Sequence, residues 1–135
     1  LGKSAAITSN ASVTLCRSND GLDCGGNWHD GVLLFTDDNR NREIDGNDML
    51  LRHITFPDIQ GSIRFRAFQN RQYLQLSRFG TTHAQNGNFT YCPDSGDSSA
   101  ARQLILSRTA RLRFALDRDG DGVREDSRGR PIDCN

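Results

Sequence analysis

Beyond residue 12 the apolar residues fall into short runs with a period of two. That period dictates strands whose alternate side chains point to opposite faces. Val13-Thr14-Leu15-Cys16 is one such run, and Gly31-Val32-Leu33-Leu34-Phe35 is more uniformly apolar, as a strand buried on both faces should be. Ile63-Arg64-Phe65-Arg66-Ala67-Phe68 alternates apolar residues with arginine, and Tyr73-Leu74-Gln75-Leu76 follows the same rule. Met49 to Thr55 is ambiguous by period, but Gly46-Asn47 before it and Pro57 after it favour a strand. Asn88 to Cys92, Leu104 to Ser107 and Leu112 to Leu116 complete the set, the last two as a hairpin turning near Arg108 to Ala110. Lys3 to Ser9 reads as the last turns of a helix with Asn10 as its stop, too short to be stable alone. With 135 residues and no internal repeat, the expectation is one domain over 1–135: a helix end followed by seven or eight antiparallel strands. No apolar run approaches the ~20 residues of a membrane-spanning helix.

Four cysteines, Cys16, Cys24, Cys92 and Cys134, are an even number in a small, loop-rich chain, which points to two disulfides and an oxidising compartment. The closely spaced cysteine pair of a zinc knuckle is absent, and His29, His53 and His83 lie far apart. Of the three possible pairings, Cys16–Cys24 closes a short loop of good turn formers (Asn19, Asp20, Gly21, Asp23) and leaves Cys92–Cys134 to tie the tail to the body. On a chain-entropy model such a clamp is worth roughly 2–4 kcal/mol.

Seventeen basic and seventeen acidic residues cancel, so bulk charge selects no partner. The charges are segregated along the chain, with residues 1–60 acidic on balance, 61–116 basic and 117–135 acidic. Folding that interleaves these segments would let the opposite charges meet. The alternative is a basic surface for an acidic partner. Arg64 and Arg66 share a strand face while Phe65 takes the other. This pattern puts arginine on the solvent face and phenylalanine in the core, and argues against a stacking surface for nucleic acid.

No histidine has a serine or cysteine placed as a nucleophile, the cysteines are committed to bridges, and no glycine loop of phosphate-cradling type occurs. No catalytic residue and no cofactor are therefore assigned, and the chain is not expected to be an enzyme. Two acidic loops carry calcium-loop spacing. Asp117, Asp119, Asp121 and Gly122 reproduce the D-x-D-x-D-G opening of an EF-hand loop, but its twelfth position is Arg128. Asp37, Asn39 and Asn41 match the same spacing with Asp48 twelfth, but Arg42 stands where glycine belongs. Tight β-turns use the same residues, so no metal ligand is assigned.

Taken in order, V-T-L-C-R-S-N-D-G-L-D-C (13–24), W-H-D-G-V-L-L-F-T-D-D-N-R-N (28–41), D-M-L-L-R-H (48–53), F-R-A-F (65–68), G-N-F-T-Y-C (87–92), A-R-Q-L-I-L-S (101–107) and G-R-P-I-D-C (129–134) resemble the GspH/FimT family of pilins and pseudopilins. Within it the likeness is greatest to FimU-type minor pilins of type IV pili. The resemblance runs over nearly the whole chain. It implies an α+β fold: the end of an N-terminal helix packed on one or more antiparallel β-sheets, with a disulfide-clamped C-terminal region. Leu1 to Asn10 would be the last turns of that helix, whose apolar, membrane-spanning half is absent from this sequence and would be the only anchor.

The implied role is protein–protein. The chain would be a minor pilin that helps initiate pilus assembly at or near the tip and supports twitching motility and adhesion. Its partners would be other minor pilins, the major pilin and the inner-membrane assembly machinery. Its head would be periplasmic before assembly and extracellular after it. Two relatives within the resemblance do other work: type II secretion pseudopilins, and FimT-like pilins that bind DNA through a basic G-R-x-R stretch. Here that stretch is Gly129-Arg130-Pro131-Ile132, with isoleucine in place of the second arginine and Asp126 and Asp133 close by. Nucleic acid is accordingly not expected as a partner, and no DNA-binding residue is assigned.

Overall fold

The structure is a computed structural model that describes residues 7, 10–82, 85–107, 109 and 111–134. Most of the helix end expected over Leu1 to Asn10 lies outside the described residues, as do His83 and most of the turn near Arg108 to Ala110. Of the first ten residues, Ile7 and Asn10 are described. Asn10 takes a left-handed φ of 51° and donates its N–H to the Ile7 carbonyl at 3.3 Å, a conformation asparagine tolerates better than most residues.

Eight strands follow: β1 (Val13–Arg17), β2 (Val32–Thr36), β3 (Leu50–Ile54), β4 (Gly61–Ala67), β5 (Tyr73–Leu76), β6 (Gly87–Pro93), β7 (Arg102–Leu106) and β8 (Leu112–Phe114). They form two antiparallel sheets of four, ordered β3-β2-β1-β5 and β4-β6-β7-β8. Each expected strand is present within two residues of its expected ends. The number of sheets, which the strand runs leave open, is two: β5 leaves its chain neighbour β4 and pairs with β1 in the other sheet.

The first sheet is buried on both faces at its centre, which explains the unbroken apolar run of β2. On one face Leu15 stands opposite Leu34 and packs with Val13, Leu76 and Leu51. On the other, Cys16 stands opposite Leu33, beside Phe35, Cys24, Ile44 and Tyr73. In the second sheet the register aligns Phe65, Phe89, Leu104 and Phe114 in one row across β4, β6, β7 and β8. Trp28, from the β1–β2 connection, closes one end of this row. It meets Phe65 and Phe89 edge-on with centroids at 5.4 and 5.1 Å, and those two rings stack at 4.4 Å. Its Nε1–H donates to Gln72 Oε1 at 3.0 Å, and Gln72 Nε2 donates to the Phe65 carbonyl at 3.0 Å. A loop of the first sheet is thereby pinned to the second.

The other face of the second sheet carries Arg64, Thr90 and Gln103 in register, with Gln103 Nε2 bonded to Thr90 Oγ1 at 2.9 Å. Arg66 on this face is exposed, as the alternation suggested, but Arg64 is half-buried and Thr90 and Gln103 are buried. The C-terminal tail returns across it. Cys134 is bonded to Cys92, Arg64 Nη2 donates to the Asp133 carbonyl, and Ile132 packs with Cys92, Ala101 and Ala115. The second disulfide joins Cys16 to Cys24. After Phe114 the described residues form turns, one isolated bridge between Glu125 and Pro131, and a tail tied to the body by the Cys92–Cys134 bond.

Candidate functional site

No catalytic constellation forms among the described residues. His29 Nδ1 accepts the Ile63 N–H at 3.3 Å, a link between the β1–β2 connection and β4. His53, on edge strand β3, packs on Gly21 so closely that a Cβ there would stand 2.7 Å from its ring. Neither is hydrogen-bonded to a nucleophilic side chain.

The basic stretch forms a groove of about 560 Å³ over the second sheet, lined by Arg64, Arg66 and Arg130 together with Asp126 and Asp133. Charges from the basic and acidic segments meet here, as interleaving predicts. Asp126 Oδ1 accepts the main-chain N–H groups of Arg128 and Arg130 at 2.9 and 3.0 Å, so the G-R-P-I stretch is held in a turn against an acid. The arginine field of the groove is offset on the spot.

The surface that stands out is apolar. The row begun by Phe65 and Phe89 is sealed by Trp28, but its continuation on β7 and β8 is not: Leu104 is half-buried, Leu112 is 57% exposed and Phe114 is 65% exposed. Leu116 beyond them is also exposed. The opposite edge of the first sheet, β3, exposes Leu50 and Ile54, with Met49 just before them. Apolar side chains on two sheet edges are what a partner would cover, because an uncovered edge with unpaired main-chain groups invites association. Alternation located these residues on strands. It could not tell that the row would be covered at one end only, since Trp28 arrives from a distant loop.

The two acidic loops resolve in opposite ways. Asp37 is fully buried, and its carboxylate is taken up by Thr14 Oγ1 at 2.8 Å and by the N–H groups of Arg42 and Asn41 at 2.9 and 3.2 Å. It organises the loop after β2. In the second loop Asp117, Asp119, Asp121 and Glu125 converge, with one ligating oxygen from each within 4.8 Å of the others. Main-chain N–H groups of Gly122 and Gly120 hold the Asp117 carboxyl below the usual carboxylate range. The carboxyl of Asp119 is raised, chiefly by the Glu125 carboxyl beside it. Glu125 was not among the residues singled out in sequence, because at the ninth place of such a loop it is not diagnostic.

A family model described as "Type II transport protein GspH" matches residues 1–110. No curated protein matches the chain. Two crystal structures of the type IV minor pilin FimU from Pseudomonas aeruginosa have the same fold. One, at 17% identity, covers 99% of this chain and 84% of its own with a TM-score of 0.66. The other crystal form, at 16% identity, covers 99% and 89% with a TM-score of 0.58.

Proposed function

Because the chain belongs to the GspH family, we propose that it is a minor pilin of a type IV pilus, a filament subunit and not an enzyme. In this reading it helps to initiate assembly and enters the filament at or near the tip. The head is periplasmic, carried by an inner-membrane subunit, until assembly places it outside the cell. Its contacts are other minor pilins, the major pilin and the assembly machinery, and the pilus it joins supports twitching motility and adhesion. The observation that carries the reading is the FimU fold followed over 99% of the chain. The half-covered apolar row agrees with it, since Leu112 and Phe114 offer area that a pilin helix or a neighbouring subunit would bury. Two disulfides suit a head that must stay folded without a cell's reducing systems. Among the described residues no helix is long and apolar enough to cross a membrane.

The description of the family model favours a second reading, a pseudopilin of a type II secretion filament. Deleting the gene separates the two. Loss of surface pili and twitching, restored by complementation, supports the pilus reading. Intact pili with failed export of folded exoproteins would replace it with the secretion reading. A complementing allele carrying Phe114→Arg should give a stable head that no longer restores pili. Full restoration would show that the β8 face is not an interface.

A further inference from the structure

We propose that Asp117, Asp119, Asp121 and Glu125 form a calcium site in the loop between β8 and the C-terminal tail. Four carboxylates, each offering an oxygen within 4.8 Å of the rest, concentrate negative charge at one point of the loop. Turn formation explains part of this. Asp117 accepts the Gly120 and Gly122 N–H groups, Asp119 accepts that of Asp121, and Asp121 that of Val123.

Glu125 is different, and it is the residue that makes this a site. Its side chain is only 6% exposed, although a free glutamate at the end of a polar loop would turn outward to water. One carboxylate oxygen accepts the Arg118 N–H at 3.0 Å. The other, Oε1, is shielded from solvent and has no hydrogen-bond partner. An unpaired anionic oxygen is costly to bury. Here it belongs to one of the four carboxylates whose oxygens converge, so a cation held by them would offset the charge this buried carboxylate carries.

The backbone brings Glu125 to this position. Its N–H donates to the Leu116 carbonyl at 3.0 Å and it bridges Pro131 in antiparallel fashion, which folds the ninth residue of the loop back under the first. It thus supplies, from the ninth place, the acidic ligand missing at Arg128. Direct coordination replaces the water-mediated contact that this place often makes in such loops.

All the donors are oxygens, with no imidazole or thiolate, so the set selects a hard cation. Several carboxylates on an irregular, partly exposed loop suit the loose six-to-eight coordination of Ca²⁺ better than the strict octahedron of Mg²⁺, which keeps its water. The site lies next to the clamp, because Ile132 N–H donates to the Arg124 carbonyl at 2.8 Å and Cys134 is bonded to Cys92. A bound ion would therefore stiffen the tail along with the loop. The inference is independent of which filament the chain serves.

The test is calorimetric titration of the 135-residue chain with CaCl₂ after EDTA treatment, with MgCl₂ as the comparison. One calcium ion should bind with Kd on the order of 10⁻⁴–10⁻³ M or tighter, the range of extracellular modules. At ten times Kd the melting temperature should rise by roughly 5 °C. Glu125→Gln and Asp119→Asn should each weaken binding at least about tenfold, by analogy with the loss of other ligand-supporting groups. Asp48→Asn in the other acidic loop should leave it unchanged. Asp119 is exposed, so Asp119→Asn decides the matter even if Glu125→Gln fails to fold. Absence of binding up to roughly 10 mM CaCl₂, beyond the weakest class of such sites, overturns the proposal. So does wild-type affinity in Asp119→Asn, and MgCl₂ binding equal to CaCl₂ overturns the choice of ion.

Discussion

Removing the Cys92–Cys134 bridge should cost the protein more than removing Cys16–Cys24, although Cys16 is more deeply buried than Cys92. The two bridges close loops of different size, with sequence separations of 42 and 8, and the loops neither overlap nor nest. In the chain-entropy model a 42-residue closure restricts the unfolded chain by roughly 4 kcal/mol and an 8-residue closure by roughly 2.5 kcal/mol. Because the loops are separate, the two contributions should add. Packing acts the other way: Cys16 is 1% exposed within the Leu33–Phe35 cluster, whereas Cys92 is 8% exposed. If lost packing dominated, the short bridge would matter more. Unfolding of Cys92→Ala/Cys134→Ala and Cys16→Ala/Cys24→Ala, followed by circular dichroism under heat and urea, distinguishes the two. For a chain of this length ~1 kcal/mol moves the melting temperature by about 3–4 °C, so the expected losses are roughly 14 °C and 9 °C. Hydrogen exchange adds a local readout. The Ile132 N–H, bonded to the Arg124 carbonyl, should lose protection in the first variant and keep it in the second. An inverted order of stability, or unchanged exchange at Ile132, would refute the view that this bridge works by restraining the tail.

Asp37→Ala should destabilise the fold by roughly 3 kcal/mol, because Thr14 and the Arg42 and Asn41 N–H groups lose a buried acceptor; a change below about 1 kcal/mol in urea unfolding would contradict this. Trp28→Ala should cost about 3–5 kcal/mol, since it removes the ring that seals Phe65 and Phe89 and leaves the Gln72 amide carbonyl without its donor, and chemical denaturation measures the loss. The Asp97 carboxyl should titrate below 3.8 in a carboxyl-carbon NMR titration, held down first by the Ser99 hydroxyl and then by the Ser99 N–H, and Ser99→Ala should raise it. The sign follows from the depressed folded value: what Asp97 contributes to stability is present above 3.8 and is lost as the pH falls through the lower folded midpoint.

Strand positions were legible along the chain because a period of two is a local property. Phe65 between Arg64 and Arg66 announces two faces whatever lies beyond them. The fate of each face was not legible. Arg64 and Arg66 read as solvent-facing, and Arg66 is exposed, but Arg64 is half-buried against the tail, because nothing near residue 64 reports that residue 133 will return. The exposure of Phe114 is the converse case. Its alternation is that of a core strand, but the Trp28 ring covers the other end of its row. Of the candidate sites, the aspartates of both acidic loops could be picked out by spacing. Only folding showed that Asp37 is used up by donors from β1 and its own loop, while Glu125 turns inward to join the other three.

Propensity, alternation and turn chemistry act over a few residues, so the strand-forming runs and the four cysteines could be read directly along the chain. The division of the strands into two sheets, the crossing of β5 to β1 and the return of the tail to Arg64 and Cys92 come from long-range packing. Those choices rest on contacts between residues dozens of positions apart. Their free energy depends on which surfaces fit after the chain has closed its long loops, a quantity no local pattern encodes.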